Sequence, residues 1–497
     1  MWDAFLHPFP IPVRHVLHPG FFQAGPRRRG CARHRTGYAA VIMTDIGKAA
    51  APRPRWFLPA LFVIVVLGLA LRWWTAVGTQ VDVPIRNDAR DYVSYAANLT
   101  LHGVYSSDPR VLIGQWTQPV PDAKRPPGYP LFLVPFLRLG DLGGFIHHVV
   151  IAQAWLGALV VWLIGLLAAR LLGCRWAIAV AMLAALSPHL AVYVPYLLTE
   201  TPFSLALTGF VMAAACGAMA PSPRRRVTLM VVAGLCLGVA CLLRPTLDQL
   251  AWVVACLVLA VPAWRRQWVI ALAFLLGFVV VMTPWWVRNV QVPHQKQSHA
   301  MAITLHQGSY PDMMRDGDPA TFGYPYRGDP AAAQAESSVR AALVDLAGKC
   351  RAHPWQMFRW YVVGKPMALF AWTEQSGWRN LFEYPVHRSP WLSDPGLIVL
   401  MSVMVGLHPL LVLLALAGTL LAFVPVATRW LSSPAVAGLR AAAFVHAYFV
   451  LVHLAALPLS RYSVPFRPLT YLMAIFALGC LVAWTRQWKA GRAGAGA

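Results

Sequence analysis

Charge is scarce in this chain of 497 residues: 12% are Asp, Glu, Lys or Arg, where ordinary soluble domains carry about a quarter. With 58% hydrophobic residues and a mean hydropathy of +0.54, that shortage excludes a soluble globular protein and a disordered chain. Acid is scarcer than base. Nineteen Asp and Glu face forty-two Lys and Arg, a net charge of +23, which suits nucleic acid, an anionic membrane surface or an anionic substrate. Long apolar runs favour the membrane readings, and anchoring at a cytoplasmic surface explains the basic connections without nucleic acid. The eight cysteines contain no CxxC pair and lie mostly inside apolar runs, so neither a disulfide framework nor a zinc site is expected. His294, His299 and His306 are too irregularly spaced for a helical metal face, and His147-His148 begins an apolar run. No cofactor is called for, although a divalent metal stays open. The apolar segments show no internal repeat, which argues against a transporter of inverted halves. Residues 1 to 42 lack the apolar core of a signal peptide; they are expected to be disordered or an extension, with Met43 the more natural start.

What the chain has is apolar length. A spanning helix needs roughly 20 apolar residues because hydrocarbon offers the backbone no hydrogen-bond partner. Ten segments qualify: 56–77, 146–172, 176–194, 197–219, 227–243, 247–263, 267–286, 397–425, 438–457 and 467–485, the eighth with a possible break at His408-Pro409. Arg53 and Arg55 set the first N-terminus inside. The next inside connections carry Arg170 and Arg175, Arg224 to Arg226, Arg265 and Arg266, and Arg429 and Arg440, and Arg486, Lys489 and Arg492 close the chain on the same side. The fold expected is an all-α integral membrane protein of about ten transmembrane helices with two long extracytoplasmic loops bearing amphipathic helices. Its parts are an N-terminal cytoplasmic segment 1–55, a transmembrane module 56–286 holding the first outer loop 78–145, a large outer loop 287–396, and C-terminal helices with a short basic tail, 397–497. Loops of such length are uncommon unless they carry function.

The first outer loop reads PIRNDARDYVSYAANLTLHGVYSSD and later KRPPGYPLFLVPFL. Asp88 and Asp91 open an amphipathic segment with Tyr92 and Leu99 at helical spacing, expected to lie on the membrane surface with its acids at the helix head. From this segment alone, Asp88 is as readily a helix cap as a reactive group.

The ordered set Asp88, Tyr92, Ala96, Asn98, Leu99, Gly103, Tyr105 and Ser106, followed by Arg125-Pro126-Pro127 and Tyr129-Pro130, resembles polytopic GT-C type glycosyltransferases. The likeness is to the branch of protein O-mannosyltransferases, aminoarabinose transferases of lipid A and Rgt-like lipopolysaccharide glycosyltransferases. It extends through Ser187-Pro188, Leu198 to Thr201, Leu243 to Thr246, Pro284-Trp285 with Arg288-Asn289, and Arg461-Tyr462 with Pro465. Ala89 stands where many relatives carry Glu, which weakens a two-carboxylate version of the site.

The resemblance implies transfer of one sugar from a polyprenyl-phosphate donor to a lipid, glycan or protein acceptor on the outer side of the cell membrane. Phosphate is a competent leaving group, so a single base suffices, and Asp88 takes that role with inversion at the anomeric carbon. Asp91 could position the acceptor or replace a missing metal ligand; as a solvated helix charge it would pair with Arg90 or Arg110 instead. Arg125 matches the family's phosphate-binding base, with Lys124 its neighbour; Arg244, Arg288 and Arg461 converge as an anion site, or snorkel singly to lipid head groups. Glu200 is expected either to pair with one of these arginines or to serve an ordinary helix start. Tyr92, Tyr129 and Tyr462 are candidate substrate contacts. The aromatics of the second loop, Trp355, Trp360, Trp372, Trp378, Tyr384 and Trp391, are expected to form an interfacial belt. The competing readings are a transporter or flippase for a lipid-linked substrate and an enzyme like an O-antigen ligase or polymerase.

Overall fold

The computed structural model describes residues 54–115, 118–260, 267–292, 299–311, 313, 320–321, 323–373 and 381–495. The expectations for the first 53 residues, for Arg265 and Arg266, and for His294 and Trp378 lie outside these residues. The described chain is almost wholly helical, as apolar runs that must bond their own backbone require. Among the described residues eight helices are long and apolar enough to cross a membrane, so this is a multi-pass membrane protein. In chain order the apolar and loop helices are α1 (Phe57–Gly78), the amphipathic α2 (Asn87–His102), the short α3 (Gly128–Leu133), α4 (Leu142–Leu172), α5 (Cys174–Leu186), α6 (Glu200–Ala218) and α7 (Pro223–Leu243). They continue as α8 (Leu250–Ala260), α9 (Trp268–Val290), α10 (Ala300–Gln307), α11 (Pro395–Leu421), α12 (Ser433–Ala455) and α13 (Arg467–Ala495). Helix α1 packs on α4, α4 on α5 and α6, α6 on α7, α7 on α9, and α11 on α13.

Two of the ten expected crossings are not among these eight. Of the segment expected at 247–263, α8 (Leu250–Ala260) is described and residues 261–263 lie outside the described residues. The one expected at 176–194 is cut at Ser187, which is extended (ψ 116°) as the residue before Pro188. The break is covered from inside the protein. Arg72 of α1, fully buried, donates to the carbonyls of Ala184 (2.8 Å) and Ala185 (3.0 Å) at the end of α5. Gln153 of α4 donates to those of Val194 and Tyr196, both at 2.8 Å. Irregular backbone at this depth is tolerated because its polar groups find protein partners. At Pro409, by contrast, α11 continues without interruption.

The two long loops are joined. Residues Gln80–Val81 (β1) and Val386–Arg388 (β2) form an antiparallel ribbon in which Gln80 faces Arg388 and Val81 faces Val386. Behind it Trp391, fully buried, donates its indole N–H to Thr75 Oγ1 of α1 at 3.0 Å. Trp360 and Tyr384 are buried too, so much of the expected aromatic belt is the packing of one loop onto the bundle; Trp355, 72% exposed, is not.

Candidate active site at the loop end of the bundle

Helix α2 begins after Arg86 without a side-chain cap, so Asp88 and Asn87 do not serve as N-caps. Asn87 is left-handed (φ 46°), a conformation Asn tolerates better than most residues, and the helix stops at Gly103, φ 65°. The Asp88 carboxylate is thereby free to accept from two cations. Arg125 Nη2 reaches Oδ1 at 2.5 Å and Arg461 Nη2 reaches Oδ2 at 2.6 Å. Burial alone would raise the Asp88 carboxyl, but Arg461 and Arg125 outweigh it and hold the group well below the usual carboxylate range. The effect is mutual: burial opposes charge on Arg125, yet Asp88 and Asp91 push its guanidinium above the ordinary arginine range.

The polar residues of the first-loop motif hold Arg125 in place. Asn98 donates to the carbonyls of Ser106 (3.0 Å) and Asp108 (2.9 Å), folding the loop back onto α2. Tyr95 and Tyr105 stack with centroids 4.2 Å apart. The Tyr105 hydroxyl donates to the Arg125 carbonyl (3.1 Å), and the Arg125 N–H donates to the Tyr95 hydroxyl (3.2 Å), so both backbone polar groups of Arg125 are bound. Asp122 accepts from Tyr95 and from the Ser107 N–H. After Pro126-Pro127, α3 lies against the end of α7. A side chain at Gly128 would meet the Leu242 carbonyl oxygen at 2.6 Å, so only glycine lets the two backbones approach this closely.

Behind Asp88 the charges continue. Asp91 accepts from Lys124 (2.8 Å) and Arg125 Nε (3.2 Å), not from Arg90 or Arg110; Arg110 pairs with Asp108. Arg461 also reaches Glu383 at 2.6 Å, and its Nε lies 3.4 Å from Glu200. Glu200, 1% exposed at the head of α6, makes no side-chain cap and stands 3.3 Å from Arg244, whose guanidinium covers the Tyr462 ring at 4.5 Å. Four carboxylates (Asp88, Asp91, Glu200, Glu383) thus meet four cations (Lys124, Arg125, Arg244, Arg461) in one connected set.

A cavity of about 490 Å³ opens over this set. Asp88, Lys124, Arg125, Arg461 and Tyr462 line one side, and Thr304, Gln307, Tyr324 and Arg327 of the second loop another. Asp91, Glu200 and Arg244 lie one layer behind.

Three expected site residues are placed elsewhere. Arg288 donates to the carbonyls of Asp122 (2.5 Å) and Tyr105 (2.8 Å), because the first loop brings two backbone acceptors to the end of α9; it braces the Arg125 loop rather than facing the cavity. Tyr129 is fully buried with its hydroxyl on Gln153 Oε1 at 3.0 Å, and Tyr92 packs edge-on against it at 5.1 Å. Both rings belong to the core beneath the site. Glu383 went unmarked in the sequence; the one signal for it was an acid in a chain that has only nineteen. Among the described residues no group of three or more His, Cys, Asp and Glu is arranged to hold a metal ion.

Neither a protein-family model nor a curated protein sequence matches this chain. Solved structures do. An oligosaccharyltransferase of Archaeoglobus fulgidus, tethered to an acceptor peptide, matches with a TM-score of 0.46 at 14% identity over 88% of this chain and 50% of its own. The same organism's oligosaccharyltransferase AglB, in complex with an inhibitory peptide and a dolichol-phosphate, matches with a TM-score of 0.45 at 14% identity over 89% and 52%. ArnT from Cupriavidus metallidurans bound to undecaprenyl phosphate matches with a TM-score of 0.34 at 14% identity over 85% and 78%. The chain spans about half the length of the archaeal enzyme.

Proposed function

We propose that this chain is a GT-C type membrane glycosyltransferase that moves a single sugar from a polyprenyl-phosphate donor to a lipid, glycan or protein acceptor on the extracytoplasmic side. The observation that carries this reading is the Asp88 carboxylate, held ionised between two guanidinium groups on the wall of a cavity at one end of the bundle. As the donor phosphate draws Arg125 and Arg461 from Asp88, the carboxylate regains basicity; an acceptor hydroxyl or amine attacks the anomeric carbon, its proton passes to Asp88, and the bond to the phosphate oxygen breaks with its electron pair on the departing carrier. Attack from the face opposite the phosphate inverts the anomeric centre. Arg125 and Arg461 take up the phosphate charge, each guanidinium offering paired donors to two oxygens. Asp91 and Glu200 hold these cations from behind. The outer-side assignment rests on the basic inside connections.

A carrier or flippase places its ionisable residues near mid-helix. Here Asp88 lies in the first turn of the amphipathic α2, Arg125 lies on the loop before α3, Glu200 opens α6, Arg244 follows α7 and Arg461 precedes α13. Comparative mass spectrometry of cell-envelope lipids and glycans with and without the gene tests the proposal. A single-sugar mass difference on one acceptor supports it; loss of a whole oligosaccharide chain would favour a ligase or polymerase, and unchanged glycans would end it.

A further inference from the structure

The eight charges of the connected set pair four against four, so within that set a phosphate finds no cation without a carboxylate beside it; Arg327, on the second-loop side of the cavity, lies outside the set. At the set itself a phosphate monoanion or dianion binds by exchange: it displaces a carboxylate from a guanidinium. Arg461 is where that exchange is shared. Its Nη2 is on Asp88 and its Nη1 on Glu383, both at 2.6 Å. Glu383 is itself held, since Tyr193 donates to its other oxygen at 3.3 Å. It sits in the second loop, near the β2 strand that ties this loop to α1 and the first loop.

We propose that Glu383 is a positioning residue, which keeps hold of Arg461 when Asp88 releases it and competes with the prenyl-phosphate headgroup for that guanidinium. This inference rests on the glycosyltransferase reading. Its consequence runs against the usual expectation for a residue that holds a phosphate-binding arginine. Removing the Glu383 charge strengthens the grip on phosphate, because one competitor and one source of repulsion are lost. Transfer slows, because Arg461 loses its anchor and the spent carrier phosphate is released from the site more slowly.

The test uses the full chain in detergent or nanodiscs and decaprenyl phosphate as probe. E383Q is expected to bind the probe more tightly by on the order of 10-fold, the size of one charge-assisted hydrogen bond, and to make less glycosylated product in cells. E383D, which keeps the charge, is expected to stay close to wild type in both. A purely structural role would weaken binding in E383Q along with the unfolding midpoint. Weaker or unchanged probe binding in a folded E383Q, or an E383D that behaves like E383Q, would overturn the proposal. Failure of the wild-type chain itself to bind the probe or to make product would instead remove the glycosyltransferase reading.

Discussion

Replacing Arg461 by Met takes one cation from a set in which it contacts three carboxylates: Asp88 and Glu383 at 2.6 Å and Glu200 at 3.4 Å. Its side chain is 13% exposed, and Glu200 is 1% exposed, so water screens little of the loss. Breaking a buried pair costs about 3–5 kcal/mol, because the surviving charge is left without compensation. Here each carboxylate keeps a second partner: Asp88 has Arg125 at 2.5 Å, Glu200 has Arg244 at 3.3 Å, and Glu383 has the Tyr193 hydroxyl. The expected cost therefore lies near the lower end, about 3 kcal/mol. Four acids against three cations remain in R461M; R461M combined with E383Q restores the balance and should recover about 1–2 kcal/mol of that loss. Denaturant unfolding of the purified protein measures both. If R461M unfolds like wild type, or if the two substitutions simply add, the charges do not form a coupled set.

Glu200→Gln leaves Arg244 and Arg461 with one carboxylate fewer without touching a helix cap; the helix is expected to form and transfer to fall by on the order of 10-fold, read from cellular product, and normal transfer would remove Glu200 from the site. Lys365 supplies a pH dependence. It is fully buried, donates to the carbonyls of Ala455 (3.3 Å) and Ala456 (2.8 Å), and burial lowers its ammonium from 10.5 to about 7. Below pH 7 the group is charged both folded and unfolded. Between about 7 and 10.5 the unfolded chain binds the extra proton, so stability rises with pH across that window. Lys365→Met should flatten the rise in unfolding free energy between pH 7 and 9, and an identical pH profile for the two proteins would contradict this account of the buried amine.

The bundle was legible because hydrocarbon permits so few backbone solutions: each uninterrupted apolar run became a helix near its expected bounds. Where the reading fell short, a polar contact from a distant helix decided the outcome. The break at Ser187 is possible because Arg72 and Gln153, far away in the chain, satisfy its carbonyls. The site divides in the same way. Asp88, Lys124 and Arg125 are close in sequence and share a motif, so their convergence could be read directly. Glu383 meets Arg461 across 78 positions, through a loop whose own pattern suggested only an aromatic belt. Arg288 and Tyr129 looked like ligand contacts because basic and aromatic side chains suit phosphate and sugar. The carbonyls of Tyr105 and Asp122, and the amide of Gln153, claim them instead.

Asp88→Asn tests the central claim most directly. The amide nearly matches the carboxylate in shape but cannot accept the acceptor's proton, and it leaves Arg125 and Arg461 with less competition. The account predicts a folded protein that binds decaprenyl phosphate at least as tightly as wild type and yields no detectable glycosylated product by mass spectrometry. Product at near wild-type abundance from that variant would contradict it.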